Sequence, residues 1–239
     1  MNNQKKFAQM YVPEEMKVTH DQALLDERVN FMIKAVNYAQ WSKLKGDFAE
    51  FGVFRGFTTV NMLNVMNYED LPRKYWAFDS FEGLPEPKGI DASFGQFEKS
   101  NFDFSLENYR ETISRNTNIT TDKIKLVGER ADAEVVLVPG FYDQSLSAEA
   151  QRTLPDNKFA LVWIDCDLYE STVPVLKYIT NHLEDGALLV FDDWFCFRGK
   201  DTLGERKAVT EWLAKNPHIS LIPYQGYSWH GFSFIVDIK

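Results

Sequence analysis

The sequence predicts an α/β fold: a mostly parallel sheet, helices on both faces, and an antiparallel hairpin at the C-terminal end. Three observations predict it. Short apolar runs of strand length alternate with stretches of helical periodicity, the signature of βαβ units. The last two runs, Ile219–Tyr224 and Phe232–Ile238, are separated by a turn, as in an edge hairpin. The length, 239 residues, suits one domain with extensions, which buries about 70% of its unfolded surface without a disulfide or a structural metal.

Residues 1–45 read as a helical extension and lid ahead of a core domain spanning 46–239. The extension's helix, His20–Leu44, places Leu24, Leu25, Val29, Met32, Val36 and Ala39 on one stripe, with His20-Asp21 as its cap. Gly46 ends it. Asp47–Gly52 is the first strand, Phe57–Asn67 the helix after it, and Lys74–Asp79 the next strand. Ser80–Asp103 is a loop punctuated by Gly83, Pro85, Pro87, Gly89 and Gly95; long loops of this kind usually carry function. Leu106–Ser114 is helical, and the apolar strand Glu134–Val138 stops at Pro139-Gly140. Phe159–Ile164 is a buried strand, followed by helix Ser171–His182 with Pro174 in its first turn. Asp185-Gly186 turns the chain into strand Ala187–Phe191, and Leu203–Lys215 is the last helix.

Composition narrows the function classes. With 44% hydrophobic and 26% charged residues, the chain is neither disordered, collagenous nor a coiled coil. Its net charge of −9 argues against nucleic acid or an anionic membrane as partner. The two cysteines, Cys166 and Cys196, lie far apart without a CxxC or Cys/His spacing, so a zinc site is not expected. Met1–Phe7 has no apolar core of a signal peptide, and no apolar run approaches the roughly 20 residues of a membrane span. A cytoplasmic location is the expectation.

Four predicted strands end in acid: Glu50, Asp79, Asp165 with Asp167, and Asp192-Asp193. In open α/β sheets the ligand crevice lies at those carboxyl ends. A single acid there is ordinary turn chemistry; four at one edge suit hydroxyls, ammonium groups or a metal ion rather than phosphate. The first strand–helix turn, Glu50-Phe-Gly52-Val-Phe-Arg-Gly56, lacks the middle glycine of a dinucleotide fingerprint and is crowded by Phe54 and Phe57. A phosphate-free nucleoside such as S-adenosylmethionine fits better, with Glu50 facing its ammonium end and Asp79 its ribose hydroxyls. Tight helix–sheet packing is the plainer reading of Gly52 and Gly56. If their strands are neighbours, Asp165, Asp192 and Asp193 converge, and crowded carboxylates repel unless protonated or bound to a cation. An all-oxygen set suits Mg²⁺, with Ca²⁺ or Mn²⁺ as alternatives.

Taken together, Gly46–Gly56, Phe78-Asp-Ser-Phe-Glu-Gly-Leu-Pro85, Asp165-Cys-Asp-Leu-Tyr-Glu-Ser-Thr172 and Phe191-Asp-Asp-Trp194 resemble the macrocin O-methyltransferase family, in family order across residues 20–195. The resemblance implies a Rossmann-like class I methyltransferase fold with a seven-stranded sheet, and an enzyme that methylates sugar hydroxyls using S-adenosylmethionine and Mg²⁺. It implies Asp165, Asp192 and Asp193 as metal ligands, Asp167 as general base, and Glu50, Gly52, Asp79, Ser80 and Asp165 along the cofactor. Arg55 faces cofactor or substrate, or closes a structural ion pair. The sequence departs from the family at Gly140-Phe-Tyr-Asp143-Gln-Ser-Leu146, after an apparent insertion at Gly128–Glu134. Phe141 and Asp143 are the candidates there for the adenine pocket.

The expected partner is a small-molecule, sugar-type acceptor, with the chain acting as a homodimer or larger homo-oligomer. Two alternatives stay open: a catechol-like diol as acceptor, and a cofactor-binding protein without catalysis. His230, in the turn Tyr227-Ser-Trp-His-Gly-Phe232, is either a substrate contact or a surface histidine. Met10–Pro13 and the Ser80–Asp103 loop are candidate lids.

Overall fold

The computed structural model describes residues 10–92, 97–152, 154 and 156–239. Met1–Phe7, expected to lack a leader, and Gly95 lie outside the described residues. In chain order the elements are α1 (Glu14–Thr19), α2 (Gln22–Trp41), β1 (Asp47–Phe51), α3 (Phe57–Glu69), β2 (Tyr75–Asp79), α4 (Gly89–Ala92) and α5 (Leu106–Asn116). There follow β3 (Ile124–Leu126), β4 (Val135–Pro139), α6 (Tyr142–Ser145), β5 (Phe159–Ile164), α7 (Tyr169–Ile179), β6 (Leu183–Phe191), α8 (Gly204–Lys215), β7 (Ile219–Tyr227) and β8 (Gly231–Ile238).

The strands form one sheet in the order β3-β4-β2-β1-β5-β6-β8-β7. All pairs are parallel except β6–β8 and β7–β8. The α/β class and the closing hairpin are as the sequence predicts. The strand count is eight rather than seven, because three-residue β3 adds an edge beside β4. Nothing in so short a run announces a strand.

Central strand β5 is apolar throughout: all six of its residues are buried, as a strand covered on both faces requires. Alternate side chains feed two cores. Phe48, Tyr75, Leu161 and Trp163 pack with α2, α3 and α5 on one face. Phe51, Trp76, Phe78 and Val162 pack with α7 and α8 on the other. Asp21 caps α2 by accepting from Ala23 N, and the buried stripe includes Leu25, Val29, Met32, Val36 and Ala39. The extension thus shares its core with the sheet. Helix α7 starts two residues earlier than expected, so Pro174 is an interior residue rather than a first-turn one. No helix among the described residues is long and apolar enough to cross a membrane.

Candidate active site

Strands β2, β1, β5 and β6 are successive parallel neighbours, so their carboxyl ends share one edge. Ile164 pairs with Phe191, which sets Asp165 and Asp192 side by side just beyond the last pair. A cavity of about 540 Å³ opens there, lined by every residue the sequence nominated: Glu50, Gly52, Arg55, Asp79, Ser80, Phe141, Asp143, Asp165, Asp167, Asp192 and Asp193. Among the described residues Lys88, Arg28, Arg55, His20 and His230 are the basic side chains of its lining, against more acids. Such a wall favours a cationic ligand.

The β1–α3 side is built around Glu50 and Asp79. Glu50 is buried, and its Oε2 accepts from Tyr75 Oη (2.6 Å) and from Thr59 Oγ1. Burial pushes its carboxyl up to about 7, so a bound ammonium group would compensate a charge that the site holds poorly. Asp79 Oδ2 accepts from Val53 N (2.8 Å) and Oδ1 from Phe81 N (2.7 Å), which ties the β1 turn to the β2 turn. Asp79 also lines the cavity, where a carboxylate can accept from a ribose hydroxyl. Ser80 Oγ donates to Gly83 O (2.8 Å) and shapes the same loop.

Gly52 has a backbone reason to be glycine. Its φ is +89°, and a Cβ would stand 1.8 Å from Asp165 O, so the two strand ends approach too closely for any side chain. Arg55 is tied up structurally: Nη1 lies 3.1 Å from Glu15 Oε1, and the guanidinium sits over Phe54 and Phe104. It fixes α1 on the cavity wall. Phe141 precedes α6, and exposed Asp143 lies within it, both on the cavity lining.

On the other side, oxygens of Asp165, Asp167 and Asp193 all lie within 4.8 Å of one another. Asp167 has a φ of +59°, a conformation uncommon for a side-chain-bearing residue, and its N donates to Asp193 Oδ2 (3.2 Å). Cys196 Sγ donates to Asp193 Oδ1 (3.0 Å). Burial, then a neighbouring carboxylate, raises all three acids: Asp193 to about 6, Asp165 and Asp167 well above the usual carboxylate range. Buried, mutually repelling, hard oxygen donors are what a divalent cation stabilises, so this set fits Mg²⁺.

Asp192, the third expected ligand, lines the same cavity but stands apart from this cluster. Its Oδ1 accepts from Tyr227 Oη (2.7 Å) and pairs with Arg28 Nη2 (3.0 Å), so its carboxylate is satisfied by protein groups and is not among the three that cluster. Arg28 also donates to Asp165 Oδ2 (2.9 Å). Arg28, Tyr227 and Glu205 are site residues that sequence reasoning missed. Buried Glu205 accepts from Asp193 N (3.1 Å) beneath the cluster. Arg28 left one legible sign: a cation inside the apolar stripe of α2, between Leu25 and Val29.

The macrocin-O-methyltransferase (TylF) family profile matches residues 19–216, a span that takes in the acidic edge and both turns. This chain belongs to the macrocin-O-methyltransferase family. Among its relatives is a Streptomyces olivaceus enzyme, 8-demethyl-8-(2,3-dimethoxy-alpha-L-rhamnosyl)-tetracenomycin-C 4'-O-methyltransferase. The two are 29% identical over 153 residues, covering 62% of this chain and 53% of the relative. The mycinamicin III 3''-O-methyltransferase of Micromonospora griseorubida is 25% identical over 170 residues, 70% of this chain and 63% of that one. The chain therefore matches less than two thirds of the length of either. Among solved structures, the O-methyltransferase NovP superposes with a TM-score of 0.69 at 22% identity, covering 89% of this chain and 80% of that one. That likeness places this macrocin-O-methyltransferase family member in the same fold. The family match stops before β7, so the hairpin carrying Tyr227 and His230 lies outside it.

Proposed function

We propose that this chain is an S-adenosylmethionine-dependent, divalent-metal-dependent O-methyltransferase acting on a hydroxyl of a sugar or glycosylated small molecule. One observation carries the reading: the Glu50–Asp79 side and the Asp165–Asp167–Asp193 cluster line the same cavity. A nucleoside cofactor on the first would present its methyl toward the second. The relatives' names support the acceptor class, since the Streptomyces olivaceus enzyme acts on a rhamnosyl group. Residues 46–239 form the methyltransferase domain in this reading, and the segment before them covers the site and supplies Arg28. The acceptor is a small molecule, not nucleic acid or membrane; the enzyme is cytoplasmic and works as a homodimer or larger homo-oligomer.

When bound, S-adenosylmethionine supplies the electrophilic methyl, and Mg²⁺ lowers the pKa of a coordinated hydroxyl. Asp165 and Asp193 would hold the cation. Asp167, whose carboxylate oxygen belongs to the same cluster, would take the hydroxyl proton. Glu50 would face the cofactor's ammonium, Asp79 and Ser80 would take its ribose, and Phe141 with Asp143 would line its base. Arg28 holds Asp192 through Oδ1 and Asp165 through Oδ2, which balances part of the negative charge at this edge. Alignment of acceptor oxygen and methyl then accounts for most of the rate.

Calorimetry with S-adenosylhomocysteine, with and without Mg²⁺, tests this directly. Binding on the order of micromolar is expected, about −8 kcal/mol. The absence of heat under every condition would overturn the proposal.

A further inference from the structure

The turn between β7 and β8, Tyr227–Gly231, is built with unusual care for a surface turn. Ser228 takes a φ of +49°, a conformation costly for a residue with a side chain. Gly231 has no alternative, because a Cβ there would stand 2.2 Å from the Tyr227 ring, the ring whose hydroxyl donates to Asp192 Oδ1. Three further hydrogen bonds pin the turn to its surroundings. His230 Nδ1 lies 2.7 Å from Asp192 O, an atom that only accepts, so Nδ1 carries the proton. Phe195 N donates to His230 O (2.9 Å), and Ser228 Oγ donates to Leu24 O (3.3 Å) at the start of α2.

What this framework presents is an indole. The Trp229 side chain is 61% exposed, lines the cavity, and meets the His230 ring edge-on at 5.1 Å. Trp229 thus stands one ring beyond His230, which itself touches the backbone of Asp192, next to the acidic cluster. A pyranose has faces of C–H bonds and a rim of hydroxyls. With one hydroxyl at the acids, such a face can lie on the indole, while whatever the sugar is attached to extends into solvent. A flat diol would suit a closed aromatic slot; an indole this open to solvent suits the face of a pyranoside.

We infer that the Tyr227–Gly231 turn is the acceptor-recognition element and that Trp229 is the stacking platform for the sugar ring. This rests on the methyltransferase reading above. It also makes acceptor choice a property of a segment beyond the family match, which ends at residue 216.

The test is saturation-transfer NMR with methyl α-L-rhamnopyranoside, using full-length protein with S-adenosylhomocysteine and Mg²⁺. Transfer to the pyranoside C–H protons is expected in the native protein and largely kept in Trp229→Phe. In Trp229→Ala it should fall about fivefold or more, the share that a lost stacking contact represents. S-adenosylhomocysteine affinity by calorimetry should be the same in all three. Equal transfer in Trp229→Ala, or none in a native protein that still binds S-adenosylhomocysteine, would overturn the inference alone. So would Trp229-dependent transfer to catechol in place of the pyranoside. Failure of native protein to bind S-adenosylhomocysteine would bring down the underlying reading, and this inference with it.

Discussion

Arg28 neutralises two acids at once: its guanidinium reaches Asp165 at 2.9 Å and Asp192 at 3.0 Å while lying over the Phe57 and Trp163 rings. All three partners in these ion pairs are largely withdrawn from solvent, so removing the cation strands two carboxylates that repel each other. Breaking a buried pair from one side costs about 3–5 kcal/mol. Urea unfolding of metal-free Arg28→Ala at neutral pH should show a loss of that size, partly recovered by Mg²⁺. A loss under about 1 kcal/mol would mean that the two ion pairs add little to the stability of the fold. The same residue shows where the site stops being legible in sequence. Glu50, Asp79, Asp165 and Asp193 announce themselves because each ends a strand, and topology does the rest. Arg28 announces only that a cation faces inward, since its partner Asp165 is 137 residues away. The division between Asp167, which joins the cluster, and Asp192, which turns to Arg28 and Tyr227, depends on side-chain packing that no spacing encodes.

Elements were legible where they were long or strongly apolar. Helix α2, the β1-to-β2 unit, β5 and the hairpin follow from periodicity within a residue or a few. Short pieces were not: α1, β3 and α6 span 6, 3 and 4 residues, too few for a period to repeat. Of these, α1 bears on function. Met16 lines the cavity, Glu15 pairs with Arg55, and the chain before α1 is tied to α3 through Asn61. Asn61 Oδ1 accepts from Tyr11 N (3.0 Å), and its Nδ2 donates to Tyr11 O (2.8 Å), a two-point clasp from one side chain. Each such bond contributes about 0.5–1.5 kcal/mol. Asn61→Ala should therefore free the segment locally, and trypsin should cut at exposed Lys17 faster than in the native protein. S-adenosylhomocysteine should slow that cut in the native protein if the segment closes over bound cofactor. Identical cleavage with and without S-adenosylhomocysteine would show that α1 is fixed trim rather than a cover.

Across the whole molecule the acidic edge sets a pH dependence that runs opposite to ordinary acid denaturation. Glu50 moves from about 4.5 to about 7 on folding and Asp193 from about 3.8 to about 6, both because burial disfavours the charged form. Their folded pKa values are raised, so the native state binds more protons than the unfolded chain in between. The stabilisation is complete below the unfolded values and is lost as pH rises through about 6 to 7. From pH 5.5 to 8 the two groups together remove about 3 kcal/mol. At roughly 2–4 °C per kcal/mol for a chain of this size, the metal-free Tm should drop by roughly 6–12 °C. Asp165, Asp167 and Glu205, also raised, push the same way. His20, held below its ordinary value by burial, pushes the other way and mainly below about pH 6.5. A cation that binds only the folded acids restores stability by mass action, so Mg²⁺ should raise Tm at pH 8 and do little at pH 5.5, where the acids hold protons instead. The Glu50→Gln and Asp193→Asn double variant should flatten the metal-free profile. Scanning calorimetry across this range decides it: a metal-free Tm that is level or climbs from pH 5.5 to 8 would mean that the strand-end acids are already solvated or paired, and that the edge stores no charge for a cation to relieve.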